Sequence, residues 1–231
     1  MACASNADWL DALHLASASL PIGGFAYSQG LEQACHAGKV SDVQSAQRWI
    51  EDYLRLVVER QELPWWLAIA QASQDLDWRL VIEHTQALCA LRETAELRLE
   101  SAQMGHAMVN LFDDWLGGSA QDLVPSHVQT ELARDYTAAH AVLCTVRGLP
   151  SDVGMSAWVW SWLDNQVLAA VKLVPLGQRH GQKILHALKA QVPDTVDRAL
   201  QMPWSEAGTA SFGLMLASAR HETQYARLFR S

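Results

Sequence analysis

The stretch Ser41-Asp-Val-Gln-Ser-Ala-Gln-Arg-Trp-Ile-Glu-Asp-Tyr-Leu-Arg-Leu-Val57 decides the fold class. Val43, Ala46, Ile50, Tyr53, Leu54 and Val57 recur at helical spacing. Ser41-x-x-Gln44 in front of them predicts a capping box. The same period extends in both directions. Upstream, a first helix is predicted near Asn6 with Trp9, Leu10 and Leu13 on one side, then a loop from Ser19 that passes into a short helix ending near Ala37. Downstream, Pro64 is expected to break the helix and open another over Trp65 to Ala72. Asp75 or Asp77 caps the next, through Leu91. Thr94 caps a long helix ending at Gly117-Gly118, and Ser126-x-x-Gln129 starts one closed by Gly148-Leu149-Pro150. Further helices are expected from Ser151 to Val174-Pro175, Gln178 to Gln191, Asp194 to Gln201 and Gly208 to Arg220. No Asn-Gly or Asp-Gly hairpin separates alternating runs. The expectation is an all-α domain of about ten helices over residues 1–220, followed by an arm over 221–231.

Composition agrees with one large domain. The chain has 231 residues, half of them hydrophobic and 18% charged, enough for a sizeable core. Acidic residues outnumber basic ones 25 to 17, a formal charge of -8, so no nucleic acid or anionic membrane is expected as a partner. The four cysteines (Cys3, Cys35, Cys89, Cys144) form no C-x-x-C pair, which suggests reduced thiols and a cytoplasmic location. The start lacks a basic segment before its apolar residues, unlike a signal peptide. The most apolar run, Val153 to Leu176, holds Asp164-Asn165-Gln166 at its centre, which suits a buried helix better than a membrane span.

Catalytic motifs are missing. Gly38-Lys39-Val40 lacks the remaining P-loop residues, and Gly23-Gly24 opens no G-x-G-x-x-G. His221-Glu222 begins H-E-x-x-H and fails at Tyr225. No Glu-x-x-His pair suits a di-iron bundle, and Tyr27-Ser28-Gln29-Gly30 is no nucleophile elbow. Nine scattered histidines leave a helical metal- or haem-binding enzyme as the alternative. Neither a metal site nor a cofactor is predicted.

Three segments stand out. Pro21 to Glu32 sets Phe25 and Tyr27 behind a proline and two glycines, either a tight connection whose aromatics plug the core or a backbone surface shaped for a partner. Trp158, Trp160 and Trp162 make one helix apolar around most of its circumference, which suits the central core helix or one partly covered by another subunit. The ending interleaves Tyr225, Leu228 and Phe229 with Arg227 and Arg230, residue types that dominate interface energetics, and suggests an arm that orders on binding another protein.

The motif Leu13-x-Leu15-Ala-Ser-x-x-Leu20-Pro21-Ile-Gly23-Gly24-Phe25-Ala-Tyr27-Ser28-Gln29-Gly30-Leu31-Glu32 resembles the N-terminal signature of the urease accessory protein F family. Val171-Lys172-Leu173-Val174-Pro175-Leu176-Gly177-Gln178 is similar to that family's late-helix motif. Glu222-Thr-Gln-Tyr-x-Arg-Leu-Phe-Arg-Ser231 is similar to its terminal arm. Ala26, where the family often has Ser, and Arg179-His180 after the Gln are departures. The resemblance implies an all-α, homodimeric, non-enzymatic adaptor. It would bridge a D-type accessory protein (H in some organisms) and a G-type GTPase on apo-urease, where GTP hydrolysis drives lysine carbamylation and delivery of two nickel ions. Carried onto this chain, partner contact falls on Pro21, Gly23, Gly24, Phe25, Tyr27, Ser28, Glu32, Lys172 and Gln178. The D-type contact falls on Tyr225, Arg227, Leu228, Phe229 and Arg230.

Overall fold

Five of the fourteen α-helices begin at a side chain that takes up an amide with no intrahelical partner. In the computed structural model, which describes residues 4–208 and 211–231, Ser5 and Asp8 cap α1 (Asn6–Leu15) reciprocally. A 3-10 turn at Gly24–Ala26 leads to α2 (Leu31–His36). The box expected at Ser41 and Gln44 forms one residue later. Asp42 accepts from the Ser45 amide at 2.8 Å and Ser45 Oγ accepts in return, opening α3 (Val43–Tyr53).

The break expected at Pro64 does not occur. The chain winds through a π-helical segment, Leu54–Glu62, directly into α4 (Leu63–Gln74). Leu63 N bonds five residues back to Val58 O. Pro64 has no N–H for the Arg60 carbonyl, and the distant Gly208 N–H fills that role at 2.9 Å.

Asp77 caps α5 (Trp78–Ala90), and Thr94 caps α6 (Ala95–Asn110). The long helix expected to reach Gly117 stops at Asn110, leaving α7 (Phe112–Trp115) and α8 (Ala120–Leu123) as single turns. The helix expected from Ser126 to Gly148 is two, α9 (Ser126–Leu132) and α10 (Tyr136–Val146). Ser126 makes no cap; Asp135, accepting from Ala138 N, restarts the chain. The rest are α11 (Ser151–Leu173), α12 (Gln178–Lys189), α13 (Val192–Gln201), a 3-10 turn at Trp204–Glu206 and α14 (Phe212–His221). Thr209 and Ala210, in the helix expected from Gly208, and Cys3 lie outside the described residues. The fold is all-α, with fourteen α-helices among the described residues.

α11 is the central element. It packs on α1, α2, α3, α4, α10, α12 and α13, with Trp158 and Trp162 buried and Trp160 half-buried toward α1. α10 fills the space between α4 and α6. Where the π-helical segment ends, Glu62 and Asp135 clamp Arg92 between them. The bonds include Arg92 Nη2 to Glu62 Oε2 at 2.9 Å and to Asp135 Oδ2 at 3.0 Å. Thr137 and Ser101 hydroxyls donate to the same two carboxylates. No helix among the described residues is long and apolar enough to cross a membrane.

Candidate functional site

The loop from Pro21 to Gly30 turns on left-handed residues. Gly23 has φ +77° and Gly30 φ +81°. At Gly30 a Cβ would lie 2.9 Å from the Ser218 amide nitrogen, so glycine alone lets α14 settle on the start of α2. Between them Gln29 is left-handed at φ 51°, strain that a non-glycine residue keeps only when its surroundings impose it. Its side chain shows what imposes it. Gln29 Oε1 accepts from Trp162 Nε1 at 2.8 Å, and Gln29 Nε2 donates to Glu100 at 2.7 Å.

With α14 seated there, the chain end runs back over the loop. Glu222 accepts from the first amide of α6, Ala95 N, at 2.7 Å. Beyond it the backbone bends at Tyr225–Ala226 and again at Leu228–Phe229, and over the last four residues exposed and buried side chains alternate. Phe229 and Ser231 point in and are buried; Leu228 and Arg230 point out. Arg230 N donates to Ala26 O at 2.9 Å, and the Ser28 amide and hydroxyl donate to Ser231 O at 2.8 and 2.5 Å. Lys172 Nζ lies 5.5 Å from the centre of the Phe229 ring.

Three carboxylates hold this segment. Glu32 accepts from Leu228 N at 2.7 Å and Phe229 N at 2.9 Å, and His221 Nε2 lies 3.1 Å away. The other nitrogen of that buried imidazole is 2.7 Å from Glu96, which also pairs with Arg227. Glu100 accepts from Ser231 Oγ at 2.6 Å. Burial lifts its carboxyl to about 7, against the pull of the Ser231 and Gln29 bonds and of Arg92. A cavity of about 50 Å³ adjoins it, walled by Gln29, Tyr136, Trp158, Ser161 and Gln166.

The structure thus gathers most of the sequence-derived residues in one place, in different roles. Gly24, Tyr27, Ser28, Glu32 and Phe229 are interior, and Tyr27 Oη donates to Gln103 at 2.5 Å. Gly23 is half-buried in the turn. Pro21, Phe25, Lys172, Tyr225, Arg227, Leu228 and Arg230 are exposed. Gln178 opens α12, exposed and outside this network. The segment expected to order only on a partner lies ordered against its own chain, because Glu32 satisfies its amides and Phe229 finds a pocket. Sequence reasoning missed Gln29, Glu96, Glu100, Gln103, His221 and Ser231. Glu96, Glu100 and Gln103 form a polar i, i+4, i+7 stripe on α6, a signal that could have found three of them.

Burial pushes the Cys35 and Cys89 thiols up to about 11, which keeps them protonated near neutral pH. Burial lowers His140 to about 3, and its Nδ1 accepts from Trp66 Nε1 at 3.1 Å. Among the described residues no group of three or more His, Cys, Asp or Glu side chains could hold a metal ion. Together these residues build a shaped surface held from within by Glu32, Glu96 and Glu100.

Comparison with known proteins agrees with that character. The family model described as UreF matches residues 40–189. The urease accessory protein UreF of Cupriavidus pinatubonensis is 43% identical over 222 residues, covering 95% of this chain and 96% of the relative. That of Azoarcus sp. is also 43% identical, over 95% of this chain and 94% of its own length. That of Bordetella parapertussis is 42% identical over 95% of this chain and all of its own length.

Proposed function

The chain belongs to the UreF family of urease accessory proteins, maturation factors rather than catalysts, and on that premise we propose that it works as the adaptor of urease activation. It bridges a D-type accessory protein and a G-type GTPase on apo-urease and regulates GTP-dependent nickel insertion, in the cytoplasm, as a homodimer. Nickel is cargo of that assembly, not a cofactor of this chain.

One observation carries the reading. The C-terminal segment is held by its inward residues, Phe229 and Ser231, and so displays Tyr225, Arg227, Leu228 and Arg230 with their geometry already set. A surface ordered beforehand loses less entropy on binding than a free arm does. Phe25, 59% exposed beside the same backbone, extends the apolar part. This edge is assigned to the D-type protein, and the Lys172 side with Gln178 to the GTPase. For self-association, Trp9, Leu10 and Leu13 stand exposed on α1, and Trp9 and Leu13 flank an apolar groove of about 390 Å³ whose floor includes Trp160.

The test is co-purification from cells carrying the full accessory set, followed by a urease activation assay. Leu228→Asp with Arg230→Glu alters exposed side chains, of which Arg230 makes an internal contact, a long 3.4 Å bond to Gln103. The variant is expected to fold, to lose the D-type protein and to leave urease inactive. Normal recovery of that protein and normal activation would refute the adaptor edge.

A further inference from the structure

Charge is distributed unevenly along this acidic chain. Residues 172–231 hold eight Lys or Arg and four Asp or Glu, a formal +4; residues 1–171 hold nine and twenty-one, a formal -12. α12 concentrates the positive part. Its inner residues Gly181, Ile184, Leu185 and Leu188 are buried, and the helix packs on α11 and α3. Its outer face carries Arg179, Lys183, His186 and Lys189, all exposed, at spacings of four, three and three. They line one side of the helix over about 15 Å. α12 contains no acidic residue. Among the described residues, neither its three Lys and Arg side chains nor the neighbouring Lys172 stand in an ion pair.

His186 and Lys189 in the last turn suit the helix dipole, but helix stability argues against Arg179 on two counts. A cation in the first turn, Arg179, opposes the helix dipole, where Asp or Glu would suit it. Arg179 and Lys183 are like charges at i, i+4, which repel. Arg179 and Lys183 thus add nothing to the helix itself, and with the rest of the strip they stand out on a chain whose remainder is acidic.

We propose that the solvent face of α12, continued by Lys172, is a docking strip for a carboxylate-rich surface of a protein partner. Charge complementarity selects the occupant. A nucleic acid strand or an anionic bilayer extends well past 15 Å and would bring phosphates against the acidic remainder of the chain. The strip also lacks the interleaved aromatics on which bases stack. A compact acidic patch, such as a helix face with Glu at i, i+4, matches its length and spacing. The inference goes beyond the adaptor reading and takes from it only a set of probes.

The experiment uses the full-length chain and the variant R179E/K183E/K189E, with R79E as a control for charge reversal elsewhere. The probes are a 12-residue synthetic Glu-rich helical peptide, its Gln counterpart, and the purified D-type protein, GTPase and apo-urease, each at low and high NaCl. The native chain is expected to bind the Glu peptide and not the Gln peptide. The triple variant is expected to bind the Glu peptide, and at least one of the three proteins, tenfold or more weakly, with a flatter salt dependence. Its thermal midpoint is expected to stay within about 4 °C of the native value, because Arg179→Glu in the first turn suits the helix dipole while Lys189→Glu in the last turn opposes it. Unchanged binding of the peptide and of all three proteins overturns the proposal. So does tighter binding of the native chain to a 12-nucleotide single strand or to phosphatidylserine vesicles than to the Glu peptide. If the native chain binds none of the three proteins, the adaptor reading fails, and the peptide titration alone decides the strip.

Discussion

Glu62 and Glu32 are both buried carboxylates at the junction of distant segments, but their donors differ. Glu62 faces the Arg92 guanidinium and the Thr137 hydroxyl, in a network that joins the α3–α4 helix, the end of α5, and α10. Glu32 faces two backbone amides and an imidazole, and it holds the end of α14 and the last residues of the chain. The first arrangement balances full charges inside elements that share one core. The second secures a segment whose own apolar contribution is mainly Phe229. The contrast teaches that one carboxylate site serves the fold and the other serves the presentation of a surface.

The largest test of that contrast is Arg92→Ala. It leaves Glu62 and Asp135 buried without a counter-charge, a change that typically destabilises by about 3–5 kcal/mol. For a chain of this size, each kcal/mol lowers the midpoint by about 2–4 °C. Thermal unfolding is therefore expected to move down by about 6–20 °C. A shift under about 2 °C would mean that the two carboxylates are not confined as described.

Glu32→Gln comes next and separates the two sites. The amide keeps one acceptor but turns N–H groups toward donors that need an acceptor. Losing a charged hydrogen-bond partner costs about 1.5–3 kcal/mol, here mostly against docking of the terminal segment. Tryptic cleavage after Arg227, or amide exchange at Leu228 and Phe229, is expected to quicken about 10- to 100-fold while the global midpoint moves little. Equal effects on segment and midpoint would merge the two sites into one.

Legibility followed the same division. The helical period, the caps at Thr94 and Asp77 and the central Trp158–Trp162 helix were open to a sequence reader, because each rests on neighbours within a turn or two. The π-helical passage was not, because Pro64 is tolerated through an amide 144 residues downstream of it, Gly208 N on Arg60 O. Asp135 starts α10 by a local cap on Ala138 N and was overlooked because the apolar period runs on across it, while its burial reflects the distant Arg92. At the chain end the residue types were visible, but not which of Leu228 and Phe229 goes in. That choice belongs to the pairing with Ala26 and Ser28, some 200 residues away in sequence.

Glu100 offers a pH test of the docked segment. Its folded value, about 7, lies above the ordinary carboxylate range because of burial. A raised acid contributes stability fully below its unfolded value, and loses that contribution as pH rises through the folded one. Docking is therefore expected to loosen between pH 5 and pH 8, by at most about 1.4 kcal/mol per pH unit. Arg92 and Glu62 act on the same carboxyl from the neighbouring network, and Gln29 and Ser231 from the docking side. Tail amide exchange, corrected for its intrinsic pH dependence, should show the trend, and Glu100→Gln should flatten it. Protection that grows with pH would exclude Glu100 as the titrating group.

The smallest effect is expected at Lys172, which stands on the border between the docked segment and solvent. Its ammonium over Phe229 is worth about 0.5–1 kcal/mol at an exposed site, so Lys172→Ala should raise exchange at Phe229 only about two- to fivefold. Under the adaptor reading the same change also alters GTP turnover by the GTPase in the complex. Lys172→Arg decides how. Guanidinium keeps the contact with the ring but differs from ammonium in shape and hydrogen bonding. If Arg restores both exchange protection and turnover, Lys172 acts through Phe229 and the position of the terminal segment. If it restores protection alone, the ammonium itself meets the partner, and the boundary between holding the segment and displaying a surface runs through this one side chain.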